Sequence, residues 1–289
     1  RGRRFPARQL KLFWAEELPR LLWDTRRALW LSFGLFALAF LVGVLSSMYD
    51  PEFAKAILSE GYVQETLKNI NAGDPMAVYK DSPPLGMSIS IAANNLFVAL
   101  RTAVYGVLAS VGTVFILLQN GVMVGAFQYF FIERDLFWES FLTIWIHGTL
   151  EISAIIVAGA AGLVAGSGLL FPGTFTRAQA FRLSMRRGLK IFIGLTPVFI
   201  LAAFFEGFLT RYTETPDVVR LLFILSSLAF VLWYFVWLPW YRARTGPPAP
   251  VQEETLQPVR EAGISFIAIK SAGELVSDAF TLLRRQGRV

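Results

Sequence analysis

The chain has 289 residues, 55% of them hydrophobic and 17% charged, with a mean hydropathy of +0.52 and a formal net charge of +6. Soluble domains carry about 25% charged residues, so an ordinary water-soluble enzyme, a disordered chain and a secreted miniprotein are excluded, and long apolar runs point to an integral membrane protein. Cysteine is absent, which removes disulfide scaffolds, cysteine-bound metals and thiol catalysis; the basic balance reads as cytoplasmic Lys/Arg of a membrane protein rather than a nucleic-acid surface.

Residues 1–27 hold eight basic side chains: Arg1, Arg3, Arg4, Arg8, Lys11, Arg20, Arg26 and Arg27. Trp14, Leu18, Leu21, Leu22 and Trp23 recur among them at helical spacing. This predicts a basic amphipathic cytoplasmic helix, either lying along an anionic membrane surface or acting as a juxtamembrane stop that sets orientation. Because the sequence opens on Arg1, residues upstream of it are to be expected.

The first apolar span covers residues 28–48. It is too long for a cleaved signal peptide and no A-x-A site follows it. Residues 49–88 carry six acids and three lysines, and Pro51–Asn69 suits a surface helix closed by the turn residues Asn71 to Pro75. Residues 89–132 contain a single charge, Arg101. One helix of that length would overshoot a bilayer about 30 Å thick, so two spans, near 89–110 and 113–132, joined by a tight turn at Ser110–Thr113 are expected. Further spans are expected near 137–165, 188–206 and 221–240. Six spans place every basic cluster on one side, with both termini cytoplasmic; five would put Arg177, Arg182, Arg186, Arg187 and Lys190 outside, against the positive-inside rule. The expected fold is therefore all-α, a polytopic transmembrane helical bundle, with residues 243–289 as a proline-rich linker and cytoplasmic tail.

Polar groups at bilayer depth cost about 2.5–3.5 kcal/mol when charged, so they need partners or a wet cavity. The candidates are Asn94, Asn95, Arg101, Asn120, His147, Glu151 and Glu206. Counting residues from the presumed span starts puts Arg101 and Glu151 at matching depth, so an ion pair between them is expected, with His147, Asn94 and Asn95 completing the network. A structural pair and a wet site for a proton, ion or lipid headgroup both fit. His147 and Glu151 share a helix face, but a zincin helix needs a second histidine and the chain has one His; neither a metal nor a cofactor is expected. Small residues at Gly121, Gly125, Gly159, Gly162 and Gly166 form surfaces that let helix backbones approach closely, within one bundle or across a dimer. Pro197 should kink the fifth span.

Several of these segments, in this order, resemble the stage II sporulation protein M family: Asn95-Leu-Phe-Val-Ala, Leu118-Gln-Asn-Gly-Val-Met-Val-Gly125, His147-Gly148-x-x-Glu151, Val157-Ala-Gly-Ala-Ala-Gly162, Phe171-Pro-Gly173 and Glu206-Gly-Phe-Leu-Thr-Arg211. The resemblance spans about residues 25–242. It implies a non-enzymatic inner-membrane protein. In spore formers the name-giving member acts in the engulfing membrane with peptidoglycan-degrading enzymes; relatives in non-sporulating bacteria and archaea often accompany MoxR-type AAA+ ATPases. His147 and Glu151 match those relatives. The expected function is therefore a membrane scaffold or partner subunit for envelope or cytoplasmic proteins. Its expected partners are the lipid bilayer, proteins of membrane or cytoplasm, and further copies of itself, with no nucleic acid. The alternative is a transporter, channel or lipid flippase working through the polar site around Arg101, His147 and Glu151, which requires an open cavity there.

Overall fold

A computed structural model of the chain describes residues 6–75, 77, 84–205 and 215–245. The chain divides into two compact units, residues 1–250 and 251–289, and the described residues all lie in the first. Every regular element among them is helical. A short N-terminal segment comprises α1 (Pro6–Leu12), a π-helical turn (Phe13–Glu17) and α2 (Leu18–Asp24). The long α3 (Arg26–Tyr49) follows, then two small helices, α4 (Pro51–Leu58) and α5 (Glu60–Asn71). Next come α6 (Pro84–Val104), α7 (Val111–Ile132) and α8 (Phe137–Leu170). The described part ends with α9 (Arg177–Gly194), α10 (Thr196–Phe205), α11 (Asp217–Leu232), a second π-helical turn (Trp233–Trp237) and α12 (Leu238–Thr245).

Among the described residues four helices are long and apolar enough to cross a membrane: Arg26–Tyr49, Val111–Ile132, Phe137–Leu170 and Asp217–Thr245. They coincide with the first, third, fourth and sixth expected spans. The second, α6, starts and ends several residues earlier than expected; its 21 residues reach about 31 Å at 1.5 Å per residue. The fifth is broken. Leu195 separates α9 from α10, two residues before Pro197, whose ring disfavours helical conformation just ahead of it and supplies no N–H. The Leu195 carbonyl accepts instead from Val198 and Phe199 N–H, at 2.9 and 3.1 Å, so the second half starts afresh.

The turn between α6 and α7 holds Ala109 and Ser110 at φ 51° and 68°, a left-handed conformation that non-glycine residues adopt at a cost. Two bonds hold it: Ser110 N–H donates to Gly106 O (2.9 Å) and Ser110 Oγ to Leu163 O on α8 (3.2 Å). The loop helix expected over Pro51–Asn69 is two helices. Asp50 and Ser59 cap them, accepting from Glu52 N–H (3.0 Å) and Tyr62 N–H (3.4 Å). Ala54 and Val63 seat this pair on Phe130 and Phe131 at the end of α7.

The axis of the bundle is α8, which packs on α3, α6, α7, α9, α10 and α11. Its inner half is Ala/Gly-rich, and backbones close in on it directly. A Cβ on Gly162 would lie 2.6 Å from Thr102 O of α6, and one on Gly188 of α9 would lie 2.6 Å from Ala161 O. Along the α3–α7 seam a Cβ on Gly121 would stand 2.7 Å from Phe36 O. Gly125 faces Phe40 O, Gly159 faces Ser32 and Leu117, and Gly166 faces Ser110. All five predicted packing glycines thus sit at helix crossings within the chain. Such crossings gain dispersion contacts that lipid cannot match.

The N-terminal segment is placed differently from the membrane-surface expectation. Its apolar side is turned into the protein: Leu18 and Leu22 are 1% exposed and join Ile191, Leu195 and Phe235 in the core. Trp14 Nε1 donates to Gly194 O at 3.2 Å, and the Tyr234 hydroxyl donates to Trp14 O at 2.9 Å. Ion pairs join Glu17 to Lys190 and, at 2.8 Å, Glu16 to Arg242. The segment is a clasp across α9 and the last helix. The spacing of Trp14, Leu18 and Leu22 defines an apolar face but not the surface that receives it, and here that surface is protein.

Candidate functional site

Between α6, α7 and α8, capped by α4 and α5, lies a cavity of about 990 Å3. It exists because α6 and α7 diverge on leaving their shared turn. Lining residues run along α7 from Phe115 to Gln128, about 20 Å at helical rise. On α8 they run from Ile144 to Ile155, on α6 from Asn94 to Arg101, and Tyr62 closes the α5 end.

Six of the seven candidate polar residues line this one cavity: Asn94, Asn95, Arg101, Asn120, His147 and Glu151. Glu206 lies outside the described residues. His147 and Glu151 are buried, one helical turn apart on α8; Asn95 and Asn120 are half-buried, Asn94 and Arg101 exposed. The amide of Asn120 donates to Ile116 O at 2.8 Å, which leaves its carbonyl oxygen and a second N–H.

The expected Arg101–Glu151 ion pair is not formed: among the described residues Arg101 meets no carboxylate, and its guanidinium lies over the rings of Phe97 and Tyr105, at 5.8 and 5.9 Å. Depth explains this. Arg101 occupies the last turn of α6, where a cation complements the helix dipole. Its neighbour Thr102 meets α8 at Gly162, eleven residues beyond Glu151 and hence about 16 Å further along α8. Counting from an assumed span start misplaced Arg101 because α6 ends at Val104, not Ser110. The same chain of contacts puts Thr113 Oγ1 on Thr102 O at 2.7 Å, tying the three helices together beneath the cavity.

Four further polar residues were not among the candidates. Trp145 Nε1 donates to Gln128 Oε1 at 3.0 Å, and Gln128 Nε2 donates to Ser140 Oγ at 3.4 Å, which bridges α7 to α8 at the α4–α5 end. Gln119, on the exposed side of α7, also faces the cavity. Gln128 follows Gly121 and Gly125 at helical spacing, a signal available from the sequence. No group of three or more His, Cys, Asp or Glu able to hold a metal occurs among the described residues.

The site is therefore a long, mostly apolar slot with amides and a His–Glu pair midway and an arginine at one end. It is open sideways, where Asn94 and Gln119 are exposed. Such a lining can receive a molecule with polar and apolar parts. The sequence model of stage II sporulation protein M matches residues 32–211, well over half the chain. The chain belongs to that family. The matched block holds α6, α7 and α8 and so the whole polar lining of the cavity; the N-terminal clasp and the last helix lie outside it. Membership makes the chain a multi-pass membrane protein of a family not known for enzymes. No curated protein and no solved structure matches it.

Proposed function

We propose that this family member is a non-enzymatic protein of the bacterial or archaeal cytoplasmic membrane that binds an elongated amphiphile in the α6–α7–α8 cavity and passes it between leaflets. The observation that carries this reading is the cavity itself. It is about 990 Å3, at the upper end of the roughly 300–1,000 Å3 typical of ligand sites, and it runs along most of α7. Exposed amides on α6 and α7 facing hydrocarbon would be unfavourable; a polar headgroup moving along the slot would satisfy them. This favours the transport alternative over the scaffold role that the sequence pointed to.

Orientation is part of the proposal. Ion pairs gather the N-terminal clasp, Lys190 and Arg242 at one end of the bundle, while Glu133 and Asp135 lie in the turn near α4 and α5 at the other. By the positive-inside rule the basic end is cytoplasmic.

The absence of native cysteine makes the test clean. Single cysteines at Gln119 and Met123 should react with a water-soluble maleimide in membranes, and a control cysteine at Leu38 on the outer face of α3 should not. In reconstituted vesicles, fluorescent phospholipid should cross between leaflets with the wild-type chain and stop with Ile152→Trp, which fills the slot. Unreactive cysteines, or unchanged lipid crossing in the filled variant, would defeat the reading. A recruiting role is the second reading, favoured by family membership; capture of the same protein partners by wild-type and slot-filled chains, with no lipid movement by either, would establish it instead. Self-association belongs with that reading.

A further inference from the structure

A second recess, separate from the central cavity, lies between the clasp and the last helix. Both π-helical turns of the described chain, Phe13–Glu17 and Trp233–Trp237, meet here through the Tyr234 hydroxyl and Trp14 O. A π turn widens a helix locally and is frequent at functional sites. The recess measures about 420 Å3, with Trp14, Trp233, Tyr234 and Leu238 as walls and Lys11 and Arg242 at its rim.

The rim is cationic. Lys11 is exposed and pairs with no carboxylate among the described residues. Arg242 gives one guanidinium nitrogen to Glu16, yet its Nε is buried with no hydrogen-bond partner. A buried donor left unmade is costly and marks a place where an acceptor is wanted. Glu16 is the acid facing this rim, and it already serves both Arg20 and Arg242. Aromatic walls below a cationic rim suit the bilayer interface, where rings sit at headgroup level and basic side chains attract anionic lipid.

We propose that this recess is a site for one phospholipid with an anionic headgroup. Its phosphate sits between Lys11 and the Arg242 guanidinium, and an acyl chain lies against Trp233 and Leu238. The bound lipid would splice the clasp to the last helix.

The test is native mass spectrometry of the full chain released from detergent, with added phosphatidylglycerol or phosphatidylcholine. Phosphatidylglycerol should stay bound where phosphatidylcholine leaves. Lys11→Glu should weaken phosphatidylglycerol binding about tenfold or more, because it removes one positive charge and adds a negative one beside the phosphate. Lys68→Glu, the same charge change on exposed α5, should leave it unchanged, and Leu238→Trp should exclude the chain with Lys11 intact. Equal retention of the two lipids, unaltered phosphatidylglycerol binding in Lys11→Glu, or displacement by excess inorganic phosphate would each overturn the proposal. Lys11 does not line the central cavity, so the result is independent of the transport reading.

Discussion

Leu18→Ala tests whether the N-terminal segment is held by protein or by membrane. Leu18 is 1% exposed, and its Cδ atoms lie against Gly194 beside Ile191 and Leu195. The substitution removes three buried carbons at about 0.8 kcal/mol each, or about 2.4 kcal/mol before any cavity cost. Buried Leu→Ala changes run to about 2–5 kcal/mol, and a segment at the edge of a bundle can partly collapse, so about 2.5 kcal/mol is expected. The segment is short and can detach without unfolding the bundle, so its opening equilibrium should rise about sixtyfold, since 1.4 kcal/mol is a factor of ten. Hydrogen exchange of the chain in lipid nanodiscs reads this directly, as faster exchange confined to the amides from Trp14 to Asp24. Leu12 is exposed on the same segment, and Leu12→Ala should change nothing. A helix resting on the membrane would respond to both leucines alike; equal acceleration in the two variants would refute the docked arrangement.

Other outcomes follow from the crossings and the cavity. Gly121→Ala sets a methyl 2.7 Å from Phe36 O and should cost about 1–3 kcal/mol in detergent unfolding, whereas Gly34→Ala, with open space around it, should be neutral. In a double-mutant cycle, Arg101→Leu and Glu151→Gln should be additive within about 0.5 kcal/mol, as for separated sites; a coupling well above that would restore the ion pair. Burial pushes the Tyr62 phenol up from 10.0 to about 12, so the folded chain resists forming the phenolate. Stability from Tyr62 should be whole below pH 10 and fall as pH rises through about 12, by the usual linkage of proton binding to folding. Tyr62→Phe should remove a late step from the tyrosinate absorbance titration.

Much of the molecule was readable along the chain because the signals are local. Residue transfer energies mark the apolar helices, and the interruptions at Ser110 and Pro197 arise from backbone chemistry within a few residues; the break at Ser59, inside an expected single helix, was not read. The polar residues of the cavity stood out for the same reason: few such groups occur in apolar helices, and helical spacing put His147 beside Glu151. What remained hidden was set by contacts between distant parts of the chain. The level of Arg101 depends on where α6 stops and on Thr102 meeting Gly162, sixty residues away. The apolar face of the clasp could have met lipid or protein, and the choice falls to Gly194, whose missing side chain leaves room for Leu18. The slot is a gap between α6 and α7, shaped by how tightly α7 grips α3 and α6 grips α8. Local energetics fix which segments are helical and which must leave water; the meeting of their faces is settled by close packing, where one added methyl group can forbid a crossing.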